Sequence, residues 1–375
     1  MEKKDKNLNV PNLRFPEFSG EWEIARLGDV CKFFSGGTPS STNKDFYNGD
    51  IPFIRSGEIH SHSTELYITE AGLNSSSAKI VEQGELLLAL YGATSGDIAI
   101  SKIKGAINQA VLCIRTNHDN FFLKSCWEKH CEKFLQTYLQ GGQGNLSAEI
   151  VKSIKMSFPS YLEQKKISGL LSLIEERIST QKKIIEKYES LIRGLYQFLF
   201  QQAKYDHFVS LGDISQISNG NSDVKDASMY NDGSLYPFFD RSDEIKFLPE
   251  YLFDKEAIIY PGEGAEFYPR YYNGKFALHQ RCYAVYDIST DFIPRYLYHY
   301  CKTQNSYFVR NAVGSTVASL RLDTFKRLKI PAIPTHHQES LVMFLDKIEA
   351  KIECNRTILK KYKEQKKYLL FTLFI

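Results

Sequence analysis

Hydrophobic residues recur at alternating steps of four and three along two long segments of the chain. A 3.5-residue spacing that persists for more than four heptads is typical of a coiled coil, whereas a helix packed on its own head shows a wider stripe with a 3.6-residue period. The first seam comprises Ile167, Leu171, Ile174, Ile178, Gln181, Ile185, Tyr188, Ile192, Leu195 and Leu199. The second comprises Leu341, Leu345, Ile348, Ile352, Asn355, Leu359, Tyr362, Lys366, Leu369 and Leu373. We predict two coiled-coil helices.

Each seam contains one amide at the same position, Gln181 in the first helix and Asn355 in the second. A buried amide lowers stability but fixes register and partner choice. With two such helices in one chain, the simplest arrangement pairs them with each other. Because the first helix leads into a second head and the second helix must return, we expect an antiparallel pair with the two amides within about one turn of each other.

The chain repeats one plan with a period of about 174 residues. Leu171 overlays Leu345 at this shift, and Tyr188 overlays Tyr362. Short motifs recur as well: Leu27-Gly28-Asp29 as Leu211-Gly212-Asp213, Asn108-Gln109 as His279-Gln280, and Phe158-Pro159-Ser160 as Ile333-Pro334-Thr335. The predicted organisation is an N-terminal arm (1–19), a first head (20–158), a first spacer helix (159–203), a second head (204–333) and a second spacer helix (334–375).

Within the heads, short apolar runs between glycine-rich turns predict strands, and longer periodic segments predict helices. Expected strands are 85–91, 111–115, 154–158, 257–260 and 328–333, and expected helices are 121–140 and 293–308. The fold class is therefore α+β: two mixed heads separated by an antiparallel coiled coil, with a pseudo-twofold internal repeat.

Composition narrows the class of protein only slightly. No apolar run approaches 18 residues, the N-terminus lacks the apolar core of a signal peptide, and the 7 cysteines are odd in number and widely spread. These features favour a cytoplasmic protein without a membrane span. The heads are almost neutral, with 13 Lys and Arg against 15 Asp and Glu in residues 20–158, and 15 against 16 in residues 204–333. Any DNA-binding signal must therefore be local.

No catalytic motif of DNA metabolism is present. The chain has no Pro-Pro dipeptide, which the Asp/Asn-Pro-Pro-aromatic motif of amino-group DNA methyltransferases requires, and Gly274-Lys275 lacks the upstream glycine of a phosphate-binding loop. Cys126, His130 and Cys131 lie in one predicted helix without a second ligand pair at zinc spacing. We therefore expect neither an enzyme nor a metal site.

Two stretches at corresponding places in the repeat, 98–115 and 267–286, contain basic residues among Tyr, Asn and Gln and no acid. This composition suits phosphate contacts and hydrogen bonds to base edges, although each stretch taken alone favours a solvated hairpin with core tyrosines. Glycine-rich polar loops flank them in both halves. The candidate DNA-contacting residues are Thr38, Ser40, Asn43, Lys44, Lys102, Lys104, Asn108, Gln109, Gln143, Asn145, Asn221, Arg270, Tyr271, Lys275, His279, Arg281, Ser315, Thr316 and Arg321.

The ordered motifs resemble a known family. Trp22 with Leu27-Gly28-Asp29, the segment Gly36 to Ser40, and the segment Tyr47 to Ile54 resemble a target recognition domain of type I restriction-modification specificity subunits. The segment Pro159 to Gln164, which opens a long Lys- and Glu-rich helix, resembles the same family. The second half matches less well: Asn219-Gly220-Asn221 stands where Thr-Pro-Ser is expected, and Lys366 interrupts the second seam.

The resemblance implies that each head reads one half of a bipartite double-stranded DNA target. It also implies that the helices set the spacing and dock two methyltransferase subunits, to which restriction subunits attach. S-adenosylmethionine, ATP and magnesium would then belong to those partners. Two other interpretations stay open: a coiled-coil adaptor or scaffold without DNA binding, and a stand-alone DNA-modifying enzyme with an unrecognised site.

Overall fold

The computed structural model describes residues 9–138, 145–202 and 205–375. The chain divides into two compact units, the first formed by Met1–Gln181 with Ile358–Ile375 and the second by Lys182–Thr357. Each unit therefore combines one head with a part of both long helices. The head boundaries at residues 158/159 and 333/334 remain predictions from the sequence.

The first unit is built from ten strands and four short or medium helices in its described part. The strands are β1 (Glu23–Arg26), β2 (Cys31–Ser35), β3 (Tyr47–Ile54), β4 (Tyr67–Ile68), β5 (Lys79–Val81), β6 (Leu86–Ala89), β7 (Ile98–Ile100), β8 (Gly105–Ile107), β9 (Val111–Thr116) and β10 (Lys155–Phe158). The helices are α1 (Leu27–Val30), α2 (Glu70–Asn74), α3 (Asn120–Tyr138) and α4 (Ala148–Ser153). Two four-stranded sheets have the orders β2-β9-β6-β7 and β4-β3-β8-β5.

The second unit repeats this plan with one larger sheet. Its strands are β11 (Phe208–Ser210), β12 (Gln216–Asn219), β13 (Tyr236–Phe239), β14 (Lys246–Leu248), β15 (Phe253–Pro261), β16 (Arg270–Leu278), β17 (Cys282–Tyr286) and β18 (Lys329–Pro331). Its short helices are α6 (Leu211–Ile214), α7 (Pro294–Lys302), α8 (Asn305–Asn311) and α9 (Leu322–Lys326). The sheet order is β12-β17-β15-β16-β13-β14.

The strand β16 takes the places of β7 and β8 together. In the second unit β16 pairs antiparallel with β15 and parallel with β13. In the first unit these two roles are divided, because β7 pairs with β6 and β8 pairs parallel with β3. The stretches 98–115 and 267–286 are thus equivalent in the fold, as the repeat predicts.

The motif Leu-Gly-Asp has one structural role in both units. The amide of Leu27 donates to the Ile154 carbonyl at 2.9 Å, and the amide of Leu211 donates to the Leu328 carbonyl at 2.8 Å. A Cβ on Gly28 would lie 3.1 Å from Lys152, and one on Gly212 would lie 2.9 Å from Lys326. The glycine therefore lets the first turn of each head pack against the last helix of the same head.

The two long helices are α5 (Tyr161–Tyr196), which continues as a π-helical segment (Gln197–Gln202), and α10 (Thr335–Leu373). In the first unit Lys366 bonds Glu175 at 2.6 Å and Arg177 donates to the hydroxyl of Tyr362 at 3.3 Å. In the second unit Arg356 bonds Glu189 at 2.7 Å and the Tyr196 hydroxyl donates to Glu349 at 3.1 Å. Residue numbers rise along α5 as they fall along α10, so the helices pair antiparallel within each unit, as predicted.

The predicted seam positions are largely the buried ones. Leu171, Ile174 and Gln181 of α5 are buried, as are Leu345, Ile348 and Ile352 of α10. Ile178 is partly buried against the first core, and Asn355 is partly buried. The side-chain amide of Asn355 donates from Nδ2 to the backbone carbonyl of Lys351 in the same helix at 2.6 Å. The proximity of Gln181 to Asn355 remains a prediction.

A buried glutamine fixes the start of each long helix to its head. Gln164 donates to the Pro159 carbonyl at 2.9 Å and accepts from the Asp119 amide at 3.0 Å. Gln338 donates to the Ile333 carbonyl at 2.8 Å and accepts from the Ile293 amide at 2.8 Å. Gln164 and Gln338 are equivalent in the repeat, so both units have a glutamine at this position although the residues beside it differ.

The single helix predicted for 293–308 is wrong, because the chain forms two helices there. α7 ends at Lys302, and Thr303 turns its hydroxyl back to the Tyr300 carbonyl. α8 begins at Asn305, whose side chain accepts a hydrogen bond from the Phe267 amide at 2.8 Å. The hydrogen bond from Phe267 stabilises the break between α7 and α8. Local periodicity does not predict it, because Phe267 is distant in sequence. The helix predicted for 121–140 is observed as α3, up to Tyr138, beyond which residues 139–144 lie outside the described part.

In the described ranges of the chain, no helix has both the length and the apolar content that crossing a membrane requires.

Candidate nucleic-acid interface

Three loops of the first unit meet at one edge of its sheet. The Gly36 amide donates to the Asn108 carbonyl at 3.2 Å, the Leu90 amide to the Ala110 carbonyl at 2.8 Å, and the Leu146 amide to the Leu90 carbonyl at 2.9 Å. The loop after β2, the turn before β9 and the segment before α4 are therefore neighbours. Sequence reasoning placed candidate residues in all three.

The approach of the first loop to the turn requires glycine. A Cβ on Gly36 would lie 1.7 Å from the Ile107 carbonyl oxygen, which no side chain tolerates. The close contact brings Thr38 to Gln109, whose Oε1 accepts a hydrogen bond from Thr38 Oγ1 at 2.5 Å. Both side chains are exposed. An amide and a hydroxyl are thus held together on the surface.

The other candidates of these loops differ in how firmly they are held. Asn43 Oδ1 accepts from the Asp45 amide at 3.1 Å and caps a short 3-10 turn, so this side chain has a local structural role. Ser40 lies 2.8 Å from the hydroxyl of Thr42, and Lys44 and Asn145 are exposed. Asn108 accepts from the Ala110 amide at 3.1 Å and shapes the turn. Gln143 lies outside the described residues.

Lys102 and Lys104 do not join this loop cluster. They stand between β7 and β8, where Ser101 exchanges backbone hydrogen bonds with Gly84 and Glu85 at the start of β6. Leu90 and its loop follow the other end of β6. Lys102 is exposed, and Lys104 forms an ion pair with Glu82 at 2.8 Å.

The second unit builds the same cluster with different side chains. A Cβ on Gly220 would lie 1.9 Å from the Leu278 carbonyl oxygen, as at Gly36. The Ser222 amide donates to that same carbonyl at 3.1 Å, and the Gln280 amide donates to the Ser222 carbonyl at 3.0 Å. Asn221 in the loop is exposed, and His279 in the turn is partly buried. Loop and turn therefore occupy equivalent positions in both units.

The third loop of the second unit also joins the cluster. Ser319 forms backbone bridges with Val313 and with Glu263, and the Leu320 amide donates to the Gly262 carbonyl at 2.8 Å. Leu146 makes the matching bond in the first unit. Ser315, Thr316 and Arg321 are all exposed. This loop therefore presents hydroxyls and one guanidinium beside the turn.

Arg281 is the candidate with the most defined setting. Its Nη1 lies 3.0 Å from both carboxylate oxygens of Glu263, while its side chain stays 63% exposed. A small cleft of about 240 Å³ adjoins this ion pair. Acidic side chains and the turn between β16 and β17 form much of its lining, which comprises Asp223, Val224, Asp240, Arg241, Glu263, His279, Gln280, Arg281 and Cys282.

Two of the three candidates in β16 are held by hydrogen bonds within the second unit. Arg270 donates to the carbonyls of Asp240 and Ser242 and lies over the ring of Phe239. The hydroxyl of Tyr271 bonds Glu256, and its ring packs 4.6 Å from the Arg295 guanidinium. These contacts give Arg270 and Tyr271 structural roles within the second unit. Lys275 is exposed over the ring of Tyr251.

Glu263 and Tyr91 lie beside the two clusters, although the sequence pattern does not predict them as site residues. Glu263 follows β15 in the glycine-rich segment 262–264, and the exposed Tyr91 follows Leu90 in the equivalent loop. The internal repeat could have identified them, because each lies just after the strand that precedes the basic stretch of its unit, β6 in the first unit and β15 in the second.

The zinc interpretation of the first head is not favoured by its surroundings. Cys126 is buried, and burial raises the pKa of its thiol to about 12, which disfavours the thiolate that zinc requires. In the second unit His299, Asp346 and Glu349 place three possible ligand atoms within 4.8 Å of one another. Arg295 and Lys302 already form ion pairs with these carboxylates, so the charge that a cation would supply is present.

The comparisons agree with the fold. The "type I restriction modification DNA specificity domain" family matches residues 19–190 and again residues 205–364. The chain belongs to this family, and it contains the domain twice.

Named relatives are specificity subunits of type I restriction enzymes. The MjaIX subunit of Methanocaldococcus jannaschii is 26% identical over 248 residues, which is 58% of this chain and 57% of the relative. The EcoR124I/EcoR124II subunit of Escherichia coli is 25% identical over 229 residues, 56% of this chain and 52% of the relative. The chain spans about half the length of the curated relatives it matches.

Solved structures share the fold over nearly the full chain. The S subunit of a type I restriction-modification system from M. genitalium superposes with a TM-score of 0.71 at 14% identity and covers 98% of this chain and 99% of that one. A chain from a study of assembly and conformational transition of the type I R-M system gives a TM-score of 0.55 at 15% identity, covering 93% and 96%.

Proposed function

We propose that this chain is the DNA sequence-recognition subunit of a type I restriction-modification complex. Each unit reads one half of a bipartite double-stranded target through its three-loop cluster. The chain carries no catalytic centre and directs two methyltransferase subunits to the target. Restriction subunits then attach to that core, and S-adenosylmethionine, ATP and magnesium bind to the partners.

One observation carries this proposal: the same loop cluster is built twice. Gly36 and Gly220 let equivalent loops approach equivalent turns, and Leu146 and Leu320 make the matching third contact. The surrounding scaffold is repeated, whereas side chains at equivalent places differ: Ala110 of the first turn stands where Arg281 stands in the second. A common scaffold with different surface groups suits two readers of different sequences.

The direct test is base-resolution methylation mapping in cells that express this chain with its cognate methyltransferase subunit. We expect methylation at one bipartite sequence, and none when the chain is omitted. The purified chain alone should transfer no methyl group to DNA. Methyl transfer without a partner would contradict the proposal.

Replacement of one head tests whether the readers are independent. Each head has its own core, so exchanging residues 20–157 for a related head should change one half of the target and leave the other half intact. A simultaneous change of both halves would show that the two heads do not read separately.

Phosphate contacts are tested best at the candidates without a structural role, Lys102, Lys275 and Arg321, which are exposed. Alanine at a phosphate-binding position should weaken binding to all sequences alike and reduce the salt slope by about one. Lys367, an exposed lysine of α10, provides the control variant. Unchanged affinity and slope at all three positions would place them away from DNA.

The helices are proposed to set the distance between half-sites. Near the start of α5, Gln164 is bonded to Asp119 of the first head and Glu163 to Arg14 of the N-terminal arm, so an insertion there would disturb both attachments. One heptad inserted after Gln181 and one after Thr357 keeps both seams in phase. Seven residues add about 10 Å, or roughly three base pairs. Methylation with an unchanged gap would contradict this role.

The exposed apolar side chains of the helices are proposed to contact the methyltransferase subunits. Leu173 is exposed on α5, and Met343 and Phe344 are exposed on α10. Contiguous apolar surface marks contact areas on proteins, and Met343 and Phe344 are exposed side by side in sequence. Phe344→Asp should weaken assembly in size-exclusion chromatography, whereas the nearby exposed Glu339→Asp should not. Full assembly of the Phe344 variant would move the docking surface elsewhere.

A further inference from the structure

The backbone fixes the position of Arg281 more tightly than its exposure suggests. Arg281 ends the turn between β16 and β17. Its amide donates to His279 Nδ1 at 3.1 Å, and the Cys282 amide donates to the His279 carbonyl at 2.8 Å. The turn is therefore closed by its own residues, and the Arg281 side chain projects from a defined place.

Glu263 holds the guanidinium from the side of the protein. Its carboxylate is only 19% exposed and receives Arg281 Nη1 at 3.0 Å on both oxygens. The preceding residue permits this approach, because a Cβ on Gly262 would lie 1.9 Å from the Arg281 carbonyl oxygen. The backbone bridge from Glu263 to Ser319 ties the carboxylate to the third loop of the cluster.

One edge of the guanidinium remains available to a ligand. Among the described residues, Arg281 Nη2 and Nε have no hydrogen-bond partner, whereas Nη1 is bound to Glu263. These two groups donate in parallel from one plane. In the major groove, the paired acceptors O6 and N7 of guanine match such a fork, and arginine on guanine is the commonest specific contact.

We propose that Arg281 reads a guanine in the half-site of the second unit, and that Glu263 is its positioning residue. This inference rests on the proposed function and adds the base that one half of the target must contain. The equivalent turn of the first unit has Ala110 at the position of Arg281, so it offers no guanidinium there. The two half-sites are therefore read by different chemistry at the same place in the fold.

The first experiment maps methylation in cells that express the complete methyltransferase complex with Arg281→Gln or Arg281→Lys. The wild-type complex should require a G·C pair at one position of the second unit's half-site. Arg281→Gln should lose this requirement by about tenfold or more and leave the other half unchanged. Arg281→Lys should retain part of it, because lysine keeps donors for guanine but lacks the planar fork. Head replacement over residues 20–157 identifies which half belongs to which unit.

Two results of this experiment would overturn the inference. One is an unaltered target in both variants. The other is uniformly weaker binding with a salt slope reduced by about one, which marks a phosphate contact. A wild-type complex without any bipartite target would instead refute the proposed function, so the two failures are distinguishable.

A second experiment changes the DNA, so it does not depend on the folding of a variant. Binding of the wild-type complex is measured on an oligonucleotide in which 7-deazaguanine replaces the guanine, removing the N7 acceptor. We expect a loss of affinity of about tenfold, and no further loss when the complex carries Arg281→Gln. No effect on the wild type, or an equal loss in the variant, would overturn the inference.

The role of Glu263 is tested by comparing two substitutions. Glu263→Ala should reduce the preference for guanine over adenine, and Glu263→Gln should retain more of it because the amide oxygen still accepts from Nη1. The matched control is Lys255→Ala, which removes an exposed ion pair with Asp287 beyond the other end of β17 and should leave the preference unchanged. Equal preferences in both Glu263 variants and the wild type would remove Glu263 from the inference.

Discussion

Lys366 of α10 donates a hydrogen bond to Glu175 of α5 at 2.6 Å and another to Glu128 of α3 at 2.9 Å. Lys124 of α3 completes the group, 2.8 Å from Glu175. The lysine that interrupts the apolar seam thus joins both long helices to the first head. Burial opposes ionisation of Glu175, but Lys124 and Lys366 together hold its pKa below the ordinary range.

The first prediction concerns this seam position. A regular heptad pattern predicts that Lys366→Leu stabilises the coiled coil. The structure predicts the opposite, because leucine removes two ion pairs and leaves two carboxylates sharing Lys124. We expect a loss of about 1–2 kcal/mol in the free energy of unfolding.

Urea unfolding followed by tryptophan fluorescence measures this change, because both tryptophans, Trp22 and Trp127, lie in the first unit. Lys367→Leu is the control, since Lys367 is exposed on the same helix. A more stable Lys366→Leu variant would show that the ion pairs contribute less than an apolar seam residue.

The second unit uses an equivalent glutamate with different partners. Glu349, which the repeat aligns with Glu175, bonds Lys302 and the hydroxyl of Tyr196 at 3.1 Å. His299 is buried beside this group, and its Nε2 lies 2.8 Å from Oδ1 of Asp346, which also forms an ion pair with Arg295. Burial lowers the pKa of His299 and outweighs Glu349 and Asp346, which raise it.

The second prediction follows from the sign of that pKa shift. The unfolded chain binds a proton at position 299 below about pH 6.5, whereas the folded chain binds it only at lower pH. Stability should therefore fall as the pH drops from 7 toward 5.5, and His299→Gln should make the fall smaller. Hydrogen exchange of α7 at several pH values measures this, with His62→Gln, at an exposed position, as the control. An identical pH dependence in the variant would contradict the assignment.

A third prediction tests the attachment of the first head to α5. Gln164 is buried and bonds the backbone of Pro159 and Asp119, so Gln164→Leu removes the partner of the Pro159 carbonyl and of the partly buried Asp119 amide. We expect the first unit to lose about 2–4 kcal/mol of stability, again measured by tryptophan fluorescence. The exposed neighbour Leu162→Ala should cost much less. Equal effects of the two substitutions would mean that the glutamine is dispensable.

Local pattern predicts much of this fold because it concerns neighbours in sequence. The alternation that predicts the seam selects Leu171 and Leu345, and both are completely buried. The repeat likewise identifies equivalent turns before β9 and β17. In each case the signal lies within one element or in a copy of it.

Contacts between distant segments could not be predicted in this way. The ion pair of Arg281 with Glu263 spans a hairpin, and the bond from Lys366 to Glu128 joins residues 238 apart in sequence. Among the candidate residues, the sequence cannot separate a basic group that faces outward from one held by carbonyls, such as Arg270. Only the tertiary arrangement distinguishes these environments.

The last prediction uses the close backbone approach that shapes both loop clusters. An alanine at position 36 would place its Cβ 1.7 Å from the Ile107 carbonyl oxygen, so the loop that carries Thr38 must move away from Gln109. The displacement begins after β2, at the surface, and should cost only about 1–3 kcal/mol of stability. Recognition should suffer more, because a reading group displaced by an ångström loses its hydrogen-bond geometry.

We expect Gly36→Ala to lower methylation of the bipartite target by at least about tenfold, and Gly220→Ala to do the same from the second unit. Gly57→Ala is the matched control, because its Cβ meets nothing within 4 Å. If the Gly36 variant methylates at the wild-type rate while its unfolding shows the expected loss, the loop after β2 does not contact DNA and the three-loop interface would have to be reduced to the two remaining loops.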